Sequence, residues 1–150
     1  TDRLVVSHEV NMKSFQASTI IERPPATVWS VLTDAAGYSD WATGTHRLEG
    51  QITEGGVLKL FTQSKPQQPM TLTVKDVVAP RTFTLSGGLP LGLFRGNRTC
   101  TLTPLADSRT EFIMKEVFTG PLEPILGRML PDLTPSFEEF AAGLKQRCER

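Results

Sequence analysis

No stretch of this chain approaches the ~20 consecutive apolar residues that a membrane-spanning helix needs, and the Leu4-Val5-Val6 patch is broken at once by Ser7, His8 and Glu9. An export signal is also missing, so the sequence predicts a soluble, cytoplasmic protein without stable membrane insertion. Net charge is absent too, because sixteen Lys plus Arg balance sixteen Asp plus Glu. With no net positive field to draw in a phosphate backbone, nucleic acid is not an expected partner. Cysteine is scarce. Cys100 and Cys148 lack metal-ligand spacing, and two thiols so distant in sequence form no disulfide framework, which again fits a reducing cytoplasm. The chain has no internal repeat, no low-complexity tract and no Gly/Ser linker. It also has no serine nucleophile elbow and no cluster of metal-ligating residues, so acyl-enzyme and metal-assisted chemistry are disfavoured and neither a metal nor a cofactor is expected.

The length of 150 residues suits one domain, able to bury about two thirds of its unfolded surface. Residues 1–13 read as an N-terminal extension and 14–150 as the folded unit. The β-branched content of 14–22 predicts a strand, which Pro24-Pro25 stops while supplying a favoured first-turn residue for a helix. In that short helix Val28, Val31 and Leu32 share a face, and Gly37 ends the segment. A second helical turn carries Tyr38 and Trp41. Six further strands follow, at 45–52, 57–63, 70–78, 82–87, 94–104 and 109–118, divided by turn-forming residues as in a meander of hairpins. The end of the chain differs in kind. Leu126, Leu130, Leu133, Phe137, Phe140, Leu144 and Cys148 recur at helical spacing and predict a helix of about 25 residues, from around Leu122 to Glu149, kinked by Pro131 and Pro135.

This order of elements, with the stretch from Ile21 to Asp34, the Tyr38 to Trp41 turn and the terminal Ser136 to Lys145, resembles the START-like (SRPBCC) superfamily, in its polyketide cyclase/dehydratase and lipid-transport branch. One departure is that the family's Asn-Pro after the tryptophan is replaced by Ala42-Thr43-Gly44. The resemblance implies an α+β helix-grip fold: a seven-stranded curved antiparallel sheet around a long C-terminal α-helix, with two short helices after the first strand. It also implies a cavity for a small hydrophobic ligand. It names no reaction, because members include carriers, sensors, cyclases and protein-binding modules.

Strand alternation then assigns faces. The apolar sets place Leu48 and Ile52, Leu58 and Leu60, Met70, Leu72 and Val74, Phe83 and Leu85, Phe94, Cys100 and Leu102, and Phe112, Met114 and Phe118 toward the helix. The first strand stays ambiguous. His46, Arg98 and Glu116 share the inward parity, and meander connectivity predicts that they cluster at one end of the cavity. A hairpin turning at Asp107 sets Leu102 opposite Phe112, Cys100 opposite Met114 and Arg98 opposite Glu116. Of these, Leu60, Met70, Leu72, Phe83, Leu85, Phe94, Cys100, Phe112, Met114 and Phe118, with Trp41, His46, Arg98, Glu116 and the helix positions Leu126, Leu130, Leu133 and Phe137, form the candidate ligand wall.

Each polar candidate has two readings. Arg98 and Glu116 read either as a structural ion pair that closes the sheet or as groups that polarise a ligand. His46 reads either as a rim residue or as a base. The glycines at 87, 88, 92 and 96 match no phosphate fingerprint and read as a flexible hairpin, whose leucines pack inward or form an exposed patch. The leading expectation is a carrier or sensor whose cavity holds an apolar body and whose Arg98 meets a hydroxyl or carboxylate head. The alternatives are a cofactor-independent cyclase, dehydratase or hydrolase using His46, Arg98 and Glu116, and a protein-interaction module. A homodimer is left open.

Overall fold

The computed structural model describes residues 12–150; residues 1–11, the larger part of the expected N-terminal extension, lie outside them. Seven strands form one antiparallel sheet: β1 (Ser14–Ile21), β2 (Thr45–Glu49), β3 (Val57–Thr62), β4 (Met70–Val78), β5 (Thr82–Gly88), β6 (Arg95–Leu105) and β7 (Arg109–Thr119). The spatial order is β1-β7-β6-β5-β4-β3-β2, a meander closed on one side by the first strand. Two short helices, α1 (Pro25–Leu32) and α2 (Tyr38–Trp41), follow β1 across a 3-10 turn. Pro25 stands in the first turn of α1, where its missing N–H costs no hydrogen bond. The Tyr38 hydroxyl donates to the carbonyl of Leu32 and ties α2 to the end of α1. Burial raises the Tyr38 pKa well above the ordinary phenol value, which keeps that donor protonated.

Pairing with β7 settles the first strand. Phe15 lies opposite Glu116, Ala17 opposite Met114 and Ile21 opposite Thr110, and all three β1 side chains are buried on the helix side of the sheet. The β6–β7 register is the one expected from a turn at Asp107: Leu102 faces Phe112, Cys100 faces Met114 and Arg98 faces Glu116. Asp107 and Ser108 adopt left-handed conformations at the tip, as a tight reversal between two long strands requires.

The end of the chain corrects the expectation of one kinked helix of about 25 residues. The structure has a single turn α3 (Glu123–Leu126), a 3-10 turn at Gly127–Met129 and then α4 (Thr134–Cys148), which has 15 residues. Leu130 is extended because Pro131 follows it, and proline disfavours the helical region for its predecessor. The helix restarts where the Asp132 carboxylate accepts the Thr134 N–H at 3.0 Å. Phe137, Ala141, Leu144 and Cys148 form the buried stripe of α4, with Phe140 partly buried beside them. Gly143 brings α4 against α2: a Cβ there would lie 2.5 Å from the Trp41 carbonyl oxygen, so only glycine permits this approach. At the far end the Glu149 carboxylate accepts the Glu22 N–H at 2.8 Å and pairs with Lys145 at 2.7 Å, fastening the helix C-terminus to the end of β1.

Candidate functional site

The middle of the grip is solid. Phe83, Phe112 and Met114 are fully buried, Cys100 nearly so, and Phe83 meets the Trp29 ring edge-to-face at 5.7 Å. These four inward residues belong to the candidate wall by parity, yet the structure packs them as core and not as lining. The reason is volume: large side chains from β5, β6 and β7 interdigitate with α1 and α4 and leave no space between them.

More open clefts lie elsewhere, one of them against Trp29, Asp34, Gln51 and Val77, while on the inward face of the sheet space opens toward the end where β5 ends and β6 begins. There a cavity of about 230 Å³ is lined by Leu60, Met70, Leu72, Leu85, Phe94, Arg98, Glu116 and Phe118, all of them sequence candidates, together with Gly87, Gly88 and Gly96. The glycines create the space. Gly87 and Gly96 are cross-strand partners on the inward face, so the row that would otherwise be filled has no side chain from either strand. Reading them as hairpin flexibility misses this role; the usable signal was that both fall on the inward parity of their strands.

Arg98 is held from two directions. Its Nε donates to Glu116 Oε1 at 2.7 Å, and its guanidinium lies 4.7 Å from the centre of the Phe137 ring on α4. The terminal amino groups make no side-chain hydrogen bond to the described residues. The two side chains are 31% and 13% exposed, so the pair sits at a boundary between core and cavity. Gly96 makes the geometry possible, since a Cβ there would come 2.5 Å from Glu116 Oε2 and 2.9 Å from the Phe118 ring. Phe94 stacks on Phe118 with centroids 5.4 Å apart and planes 13° from parallel, giving one wall a flat aromatic surface. Next to the pair, burial pushes the Cys100 thiol up to about 12, so it is an uncharged neighbour.

Other candidates fall elsewhere. His46 does not join Arg98 and Glu116. The β2–β3 pairing steps from Thr45–Thr62 to Arg47–Phe61, so His46 is the extra residue of a bulge, and parity counted through it fails. It is exposed, beside a shallow depression with Ser39 and Arg47. Trp41 packs on Tyr38 at 4.7 Å and Phe140 at 5.0 Å, an aromatic cluster between α2 and α4 outside the cavity. Leu130 and Leu133 are partly buried against the core, Phe137 is buried under Arg98, and Leu126 is half-buried; none lines the cavity, because the helix stops short of them or turns them to the core. The hairpin leucines take the exposed alternative. Leu91, at 96% exposure, projects from the β5–β6 tip in a left-handed conformation, with Leu89 and Leu93 flanking it.

Among the described residues no group of three or more His, Cys, Asp or Glu is arranged to hold a metal ion, and no helix is long and apolar enough to cross a membrane.

Comparison with known proteins agrees with this architecture. The Zhui aromatase/cyclase of Streptomyces sp. R1128 superposes with a TM-score of 0.69 at 17% identity, over 93% of this chain and 94% of that one. A hypothetical protein of Helicobacter pylori gives a TM-score of 0.71 at 12% identity, over 91% and 88% of the respective chains. The di-domain aromatase/cyclase BexL from the BE-7585A biosynthetic pathway gives 0.68 at 12% identity, with 99% of this chain covering 53% of that one. At such identities the likeness shows the shared helix-grip fold. No curated protein sequence matches the chain. The family model described as polyketide cyclase / dehydrase and lipid transport matches residues 12–149, and with nearly the whole described chain inside that match the protein belongs to this family.

Proposed function

We propose that the protein binds one small, mainly apolar molecule in the cavity beside Arg98, as a carrier or sensor. The observation that carries this reading is a cavity of about 230 Å³ whose walls are leucine, methionine and phenylalanine and whose inner end is an arginine with unspent donors. Each methylene transferred from water to such walls is worth about 0.8 kcal/mol, while the N–H groups of Arg98 fix the orientation of a polar head. The size bounds the ligand. The cavity lies below the ~300–1,000 Å³ of pockets for drug-sized molecules, which favours a short chain or one to two rings over a two-chain lipid.

The enzymatic alternative has less support. A cyclase or dehydratase needs a group free to take or give a proton near the ligand. The titratable side chains on the cavity wall are Arg98 and Glu116, already engaged with each other, and His46 is outside.

Mass spectrometry of small molecules released from gently purified protein, together with titration by an environment-sensitive apolar dye, tests the proposal. The expected result is saturable dye binding that the released ligand displaces and that Gly87→Val weakens by filling the cavity. Dye binding equal in wild type and Gly87→Val, with no released ligand, would place the function elsewhere.

A further inference from the structure

We propose that the cavity selects uncharged hydrogen-bond acceptors, such as a ketone or ester, over carboxylates of the same chain length. The inference rests on the binding reading above and specifies the chemistry of the head that meets Arg98. A lone arginine at the end of an apolar pocket would favour an anion. This arginine is not alone, because Glu116 Oε1 already takes its Nε–H at 2.7 Å, so the polar end of the cavity has no net charge. The remaining wall gives an incoming anion nothing in exchange: Leu60, Leu72, Leu85, Phe94 and Phe118 carry neither charge nor donor.

Bringing a carboxylate into this site places two carboxylates around one guanidinium and leaves one negative charge uncompensated between apolar walls. That is the arrangement a low-dielectric site penalises most. A carbonyl oxygen accepts the same terminal N–H groups and adds no charge, so it keeps the hydrogen bond without the penalty. Cys100, the thiol next to the pair, stays protonated and does not alter the sum. Gly96 fixes this electrostatic choice, since its missing Cβ is the space that lets the Glu116 carboxylate reach the guanidinium.

The cavity admits about eight liquid-packed groups at ~30 Å³ each and is partly open, so 2-octanone and octanoate, each slightly larger than that, fill it and reach its mouth; they are matched in carbon number and differ in charge. Displacement of a bound apolar dye near neutral pH should show 2-octanone binding at least about tenfold tighter than octanoate in the wild type. Octanoate should gain affinity as the pH is lowered toward its own pKa, where it becomes the neutral acid. Glu116→Gln removes the compensating charge and should reverse the order of the two probes. Equal or tighter octanoate binding by the wild type would overturn the inference whether or not the variant folds, as would an unchanged order in a folded Glu116→Gln protein. If the dye binds saturably and neither probe displaces it, the inference fails and the binding reading stands; if the dye does not bind at all, both fail.

Discussion

Truncating Arg98 to Met leaves the Glu116 carboxylate, 13% exposed, beside a phenylalanine wall without its partner. An ionised group stranded in this way costs on the order of 1–3 kcal/mol, whereas replacing both residues by apolar side chains removes the stranded charge together with its partner. We therefore expect Arg98→Met and Glu116→Leu each to destabilise more than the double variant, with a coupling energy in denaturant unfolding well above the ~0.5 kcal/mol of independent sites. Additive effects would mean that the 2.7 Å contact contributes nothing to stability. The cysteines make a second residue-scale prediction. Burial raises Cys100 to about 12 and Cys148 to about 11, so neither presents a thiolate at ordinary pH. A disulfide-exchange reagent at about pH 8 should label both thiols only after denaturant is added, although an unperturbed thiol would be partly ionised there. Fast labelling of either in the native protein would contradict the packing around it.

At the scale of elements, α4 is held by an aromatic at its start and a carboxylate at its end. Phe137 is buried between Arg98 and Phe15, so Phe137→Ala should cost roughly 3–5 kcal/mol in unfolding free energy; a loss below about 1 kcal/mol would mean that the ring borders open space. Glu149 is held below the ordinary carboxylate range, first by the Glu22 N–H and then by Lys145. Because its folded pKa is depressed, its contribution is fully present above the unfolded value of about 4.3 and is lost as pH falls through the folded value. Glu149→Gln should therefore lower stability at neutral pH and flatten the acid limb of the stability profile, which urea unfolding across the pH range measures. An acid limb parallel to that of the wild type would remove Glu149 from the account. Strand boundaries were legible because turn residues and period-two alternation act locally, and the β6–β7 register followed from one turn position. The final helix was not, since its heptad-like leucines continue through Leu126 and Leu130 while Pro131 forces an extended break that spacing alone does not register.

For the molecule as a whole, α4 grips a sheet whose seven strands are continuously paired, so helix and sheet share one core through Phe15, Phe112, Phe137 and Leu144. Far-UV circular dichroism, which follows the helix, and tryptophan fluorescence from Trp29 and Trp41 should report coincident urea transitions; separated midpoints would divide the core into independent parts. The sequence by itself determined the order of elements, the inward face of β3 to β7 and the opposition of Arg98 to Glu116, because alternation and hairpin register are counted along the chain. It could not determine how much of the interior stays open. That depends on whether side chains from strands and helices distant in sequence meet, and only the tertiary structure decided it: Phe83, Cys100, Phe112 and Met114 close the centre, while the facing Gly87 and Gly96 leave the cavity at one end. The same holds for His46, which a single-residue bulge carries to the surface, because pairing with β3 and not the spacing of its neighbours sets where its side chain goes.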